Sequence, residues 1–243
     1  MTALPTLTRL AEALGVPLDD AALDRFARYR DLLLDWNQRV NLTRVTDPTE
    51  VELRLFADSL LLVPYLRRFR EANPATPLRL VDVGSGGGFP GIPLKIALPD
   101  LDVTLVDATA KKVAFLDAAI AALGLADARA VHGRAEELGH LPDYRGRFDV
   151  VTARAVARLP TLLEYCLPLL RPGGLGLFPK GRDATAEAAE ARTALATLHA
   201  RLVAVDPAPL EELAGTAIVV VEQTMPVPAS YPRRAGLPAK RPL

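Results

Sequence analysis

The stretch VDVGSGGGFPG, residues 81–91, sets Asp82 two residues before the first of five glycines. Glycine carries no β-carbon, so the backbone there can take positive φ and let a ligand close on main-chain N–H groups. Where such a loop opens a helix, negative groups are favoured. A carboxylate or a phosphate suits it. A second acid, Asp107, closes the apolar run VTLVD nineteen residues after Gly88 and can accept hydrogen bonds from two ribose hydroxyls. The pair describes a nucleoside site.

Three spacings compete for the loop. As a P-loop it fails, because Gly86 and Gly91 have the interval but Ile92 and Pro93 replace the lysine and hydroxyl that hold phosphate and magnesium. As a dinucleotide fingerprint, Gly86, Gly88 and Gly91 satisfy GxGxxG. As the acid-x-Gly-x-Gly-x-Gly loop that binds S-adenosylmethionine (SAM), Asp82, Gly84, Gly86 and Gly88 all fit. Asp107 serves an adenosine ligand in either nucleotide reading and does not choose between them. Two further segments extend the site. Arg134-Ala-Glu-Glu follows a third apolar run, where an adenine would lie, and Thr152-Ala-Arg154-Ala follows a fourth, where a transferred group meets its acceptor.

These segments need a scaffold that brings strand ends together. Short apolar runs LRLVDV, VTLVD, ARAVH, FDVVTA and LGLFP alternate with helical segments GIPLKIAL, TAKKVAFLDAAIAALG and LPTLLEYCLPLL, the last ending before Arg171-Pro-Gly-Gly. Strand, helix, strand repetition implies parallel strands joined by right-handed crossovers, so the expected fold is α/β, a doubly wound Rossmann-like sheet. RLVAV and TAIVVVE are expected to pair as an antiparallel edge, after an alanine-rich helix from about residue 183 to 199. The chain before this core has no strand pattern. Phe26, Tyr29, Leu33 and Trp36 recur at helical spacing, with Asp19 or Asp20 as N-cap. Asp47-Pro48 precedes a second helical run over about residues 50–70. Pro74 and Pro77 mark the joint, dividing an N-terminal helical extension, residues 1–77, from a core with a basic tail, residues 78–243.

At 243 residues and half apolar, the chain can bury a sizeable core. Lys+Arg equals Asp+Glu, which argues against a general basic coat. No acid follows Glu222, however, while Arg233, Arg234, Lys240 and Arg241 do, so the end of the chain is locally cationic. The single cysteine, Cys166, makes no intramolecular disulfide and fits a reducing compartment. MTALPTLTRL lacks the charged start and long apolar stretch of a signal peptide, and no run approaches a membrane span. The expectation is a cytoplasmic protein, by default a monomer. His132, His140 and His199 have no metal-ligand spacing with Cys166 or with each other, so no metal is expected.

Taken together, the motifs resemble one family, the bacterial small-subunit (16S) ribosomal RNA guanine-N7 methyltransferases, also called glucose-inhibited division protein B. The resemblance rests on Trp36-Asn37 with Asn41-Leu42-Thr43, on Asp58-Ser59-Leu60, on DVGSGGGFPGIPLKI, on GRAEE, TARAVA and LLRPGG with PKG, and on the ending YPRRAGLPAKRPL. Two positions depart from it: Leu55 stands where the family often has histidine, and Ala108-Thr109 with Lys111-Lys112 replaces its usual serine and Lys-Arg. The resemblance implies a SAM-dependent methyltransferase sheet and SAM contacts at Gly84, Phe89, Asp107, Ala108, Thr109, Ala135, Glu136 and Arg154, beside the loop glycines Gly86 and Gly88. It implies 16S ribosomal RNA or the small ribosomal subunit as partner. Placement at strand ends or in the acid-free tail makes Arg154, Arg158, Lys180, Arg182, Arg233, Arg234 and Lys240 the expected RNA contacts. Guanine N7 carries no proton, so no catalytic base is expected. Two rival readings remain: a non-catalytic nucleotide sensor, or a methyltransferase acting on a small molecule or protein.

Overall fold

The computed structural model describes residues 4–74 and 77–243. Met1 to Ala3, the start of the stretch read for a leader, and Ala75-Thr76 of the joint lie outside the described residues.

Seven strands form one sheet in the order β3-β2-β1-β4-β5-β7-β6. They are β1 (Arg79–Val83), β2 (Asp102–Asp107), β3 (Ala128–His132), β4 (Phe148–Thr152), β5 (Leu170–Lys180), β6 (Ala200–Pro207) and β7 (Ala217–Gln223). Strands β1 to β5 pair in parallel, and β7 runs antiparallel to both β5 and β6, as the edge pattern predicts. Chain order reverses between β1 and β4, so the ends of β1, β2, β3 and β4 open onto one crevice.

Both faces of the sheet are covered, which is why its strands read as continuous apolar runs. Adjacent residues alternate between two cores: Leu80, Leu105, Val150 and Leu177 point to one, Val81, Val106, Val151 and Phe178 to the other. The first core also holds α1 (Pro5–Ala13) and α2 (Asp20–Asn37), in which Phe26, Tyr29 and Leu33 are fully buried. Asp19 caps α2 by accepting the Ala22 N–H, as the sequence suggests. Trp36 reaches Phe115 edge-on at 5.6 Å. A buried Arg30–Glu52 pair, with Glu52 also accepting the Leu7 N–H, ties α1 and α2 to the next helical stretch.

That stretch is not one helix. Residues Pro48–Val51 (α3) lead into a π-helical segment, Glu52–Ala57, then α4 (Asp58–Leu60) and α5 (Val63–Ala72). A π turn accommodates an extra residue and so resets which side chains share a face. Asp58 is the first residue beyond it.

Helices α6 (Gly91–Ala97), α7 (Ala110–Leu123), α8 (Ala135–Leu138) and α9 (Leu159–Cys166) follow the first four strands. Two boundaries differ from the expectation. Strand β5 begins at Leu170, because a register shift between Phe148 and Val150 of β4 absorbs Pro172-Gly173-Gly174 into the strand. The alanine-rich helix breaks at Ala191 into α10 (Ala184–Glu190) and α11 (Arg192–Thr197).

The cationic tail, which ends in α12 (Leu237–Lys240), is docked on α8 and α9. Arg145 donates to the main-chain carbonyls of Gly139, Val227, Pro228 and Tyr231. Arg233 grips the fully buried Glu164 through Nε and Nη2, at 2.8 and 2.6 Å, and its guanidinium is thereby held charged above its ordinary range. Among the described residues no helix is long and apolar enough to cross a membrane.

Candidate active site

The glycine loop is stapled to the end of β2: the Gly84 and Ser85 N–H groups both donate to the Val106 carbonyl. Gly84 takes φ +71°, and a β-carbon on it would sit 2.6 Å from Val156 Cγ2. Gly88 takes φ +92°, where a β-carbon would meet Ile92 at 2.5 Å and the Tyr29 hydroxyl at 2.7 Å. The two glycines therefore serve opposite sides. Gly84 faces the crevice; Gly88 faces inward, where Tyr29 donates to the Gly87 carbonyl beneath the loop. Burial raises the Tyr29 hydroxyl well above its ordinary range, so it remains a donor.

Asp82 is fully buried beneath the loop. Its Oδ2 accepts the Gly91 N–H at 3.0 Å, while Oδ1 has no partner among the described residues. Burial pushes its carboxyl up to about 7, against the opposing pull of the Gly91 N–H and the Arg154 charge.

Asp107 ends β2 at the crevice. It accepts the Gly86 N–H on Oδ2 at 3.0 Å and the Thr109 N–H on Oδ1 at 2.8 Å, with Lys112 Nζ at 4.0 Å. Each carboxylate oxygen retains a lone pair for a further donor. A cavity of about 250 Å³ opens beside it, lined by Gly84, Asp107, Ala108, Ala135, Glu136 and Val156 among others. Glu136 Oε1 also accepts the Gly236 N–H, so the docked tail forms part of this wall. Of the expected cofactor contacts, then, Gly84, Asp107, Ala108, Ala135 and Glu136 share one cavity. Gly86 and Thr109 act behind it, on the Asp107 carboxylate.

Phe89 and Arg154 lie elsewhere. Phe89 is buried in an aromatic cluster with Tyr29 and Phe56, at 5.4 and 6.1 Å between ring centroids, and the Arg154 guanidinium covers its outer face at 5.2 Å. Arg154 Nη1 donates to Asp58 Oδ2 at 2.9 Å and to the Arg54 carbonyl at 3.1 Å. It follows β4 in a loop whose next residue, Ala155, adopts φ +56°, a left-handed conformation costing about 1–2 kcal/mol in a residue with a β-carbon. The loop is anchored on both sides of that strain, by Arg154 on Asp58 and by Lys180 Nζ on the Ala157 carbonyl.

Two larger cavities meet at this loop. One, of about 460 Å³, is lined by Val156, Arg158 and Lys180; the other, of about 510 Å³, by Arg54, Arg182 and Glu212; Asp58, Arg154 and Thr216 line both. Val156 is the wall shared between the first of these and the cavity at Asp107. Three spaces thus run in series from the glycine loop to the Arg182 side.

The expected RNA contacts divide by what already holds them. Lys180 is half-buried and bonded to Glu187, and Arg233 is locked on Glu164; both serve the fold. Arg158 forms an exposed fork on Glu190. Arg182, Arg234 and Lys240 are exposed and have no ion-pair partner among the described residues. Asp58, Thr216 and Val156 were not signalled by local spacing; only Asp58 carried a hint, in the Asp58-Ser59-Leu60 match.

Strand order, crevice and acid positions define a SAM-dependent methyltransferase fold. A solved SAM-dependent methyltransferase from Aquifex aeolicus shares it with a TM-score of 0.52 at 16% identity, over 73% of this chain and 94% of that one. The chain belongs to the GidB family, rRNA small subunit methyltransferase G, whose family model matches residues 22–211. Ribosomal RNA small subunit methyltransferase G of Roseiflexus castenholzii is 47% identical over 98% of both chains. That of Desulfitobacterium hafniense is 44% identical over 99% of this chain and 96% of its own.

Proposed function

We propose that this protein transfers a methyl group from SAM to N7 of a guanine in 16S ribosomal RNA, acting in the cytoplasm on the small ribosomal subunit. The observation that carries the reading is the series of cavities: a nucleoside-sized space at Asp107 abuts, across Val156, a larger space lined by Arg154, Arg158 and Lys180. Family membership at this identity supports the same assignment.

The residues at the crevice fit SAM. Gly84 lines the cavity with backbone alone, a β-carbon there colliding with the Val156 wall, and Asp107 has lone pairs for two ribose hydroxyls while its other ones are held by Gly86 and Thr109. Ala135 and Glu136 would flank the adenine, and Arg154 would face the carboxylate end. When bound, SAM supplies an electrophilic methyl group.

Guanine N7 is an unprotonated acceptor, so the protein has no proton to remove. Its contribution is alignment of N7 with the methyl carbon, which can account for several kcal/mol of a barrier. Arg158, Arg182, Arg234 and Lys240 would hold RNA phosphates, giving an affinity that falls with salt. Lys180 and Arg233 would act indirectly, by holding the loop after β4 and the tail in place.

Separate titrations of SAM and NAD, with methyl-labelled SAM then added to unmodified small subunits and to naked 16S RNA, test the reading. SAM binding with label in RNA is expected. NAD binding in preference to SAM, or SAM binding with no label in either RNA substrate, would contradict it.

A further inference from the structure

Thr216, Asp58 and Arg154 form a hydrogen-bonded chain across three segments that are remote in sequence. Thr216 Oγ1 donates to Asp58 Oδ1 at 2.9 Å, and Asp58 Oδ2 accepts from Arg154 Nη1 at 2.9 Å. The Arg54 carbonyl takes the same Nη1, and the Phe89 ring supports the guanidinium face. One end and one face of Arg154 are thus fixed. Its Nε and Nη2 have no protein partner among the described residues.

That Nε and Nη2 edge is the fork that matches a carboxylate bidentately. The protein uses it elsewhere: Arg233 holds Glu164 through the same two atoms. Asp58 meets Arg154 through Nη1 alone and, being tied to Thr216 on its other oxygen, stays at that end, which leaves the edge to another acceptor. An arginine held by a carboxylate at one end, and open at its forked edge, is prepared for a second carboxylate.

We propose that Asp58 and Thr216 are positioning residues that orient Arg154 so that its forked edge receives the amino-acid carboxylate of SAM. The proposal rests on the SAM reading and adds to it the part that the N-terminal helices and the turn before β7 play in the donor site. Arg154 grips the ligand; Asp58 sets its angle; Thr216 sets Asp58.

The test compares two ligands on the full chain by calorimetry. S-adenosylhomocysteine carries the carboxylate, and 5′-methylthioadenosine has the same nucleoside without it. Thr216→Val should weaken S-adenosylhomocysteine about five- to tenfold, the effect of one lost hydrogen bond, and leave methylthioadenosine within about twofold. Asp58→Asn should act in the same direction and at least as strongly, and Thr216→Ser should restore wild-type affinity. Equal weakening of both ligands would show a merely structural role and overturn the proposal, as would no change in either. A wild-type chain that binds neither ligand would remove the SAM reading itself, a different failure from the loss of ligand discrimination.

Discussion

The carboxyl ends of the neighbouring strands β1 and β4 solve the same problem, presenting polar groups to the crevice, by different means. At β1 the site is made of backbone. Of the five glycines within residues 84–91, Gly91 and Gly86 supply N–H groups to Asp82 and Asp107, and shape comes from the positive φ of Gly84, Gly86 and Gly88, which other residues resist. At β4 the site is made of side chains. Arg154 is held by Asp58, 96 residues earlier, and through it by Thr216, 158 residues from Asp58. Backbone sites are written in consecutive residues and tolerate little substitution. Side-chain sites are assembled by the whole fold, and single losses there should be graded.

The sharpest way to break this contrast is Gly88→Ala. The new β-carbon meets Tyr29 and Ile92 and must adopt φ +92°, so overpacking and strain together should cost about 2–5 kcal/mol, read by urea unfolding. A cost near zero would mean the loop is not held as described.

A pH series on Asp82→Asn comes next. Asp82 in the folded chain is raised to about 7, above its ordinary value near 4. Between those limits the folded state binds the extra proton, so this group's contribution makes stability fall as pH rises from about 4 to about 7, then level off. The variant should lack that component. Its stability relative to wild type should rise across the window by an amount on the order of a few kcal/mol.

Asp107→Asn should weaken SAM by roughly 10- to 100-fold, since hydrogen bonds to a charged acceptor are worth about 1.5–3 kcal/mol. Unfolding should change less than for Gly88→Ala. The smallest effect is expected at the exposed Arg158–Glu190 pair: Arg158→Ala should leave the urea midpoint within error of wild type while reducing the salt dependence of RNA binding.

What was legible in the sequence follows the same division. The glycine loop, Asp107 and the buried strands could be read because their signals are contiguous. The amphipathic face of α2 was legible too, since Phe26, Tyr29 and Leu33 share one helical stripe. The start of β5 was hidden because Pro172-Gly173-Gly174 has turn chemistry, and only its partner β4 reveals the register shift. The π segment, ELRLFA, has no periodic signature that sets it apart from α-helical turns on either side. The tail's docking depends on Arg145 and Glu164, charges with no local mark to set them apart from solvated ones. Thr216 lies in the turn before β7, and nothing in its neighbours marks it as facing Asp58.

Methyl transfer to one guanine N7 can be read directly. Wild-type protein, SAM labelled in the methyl group and small subunits lacking the modification should be incubated, and the RNA digested and mapped by mass spectrometry. Label is expected in a single 7-methylguanosine of the 16S RNA. Label in another nucleoside, or none while SAM binding is intact, would contradict it.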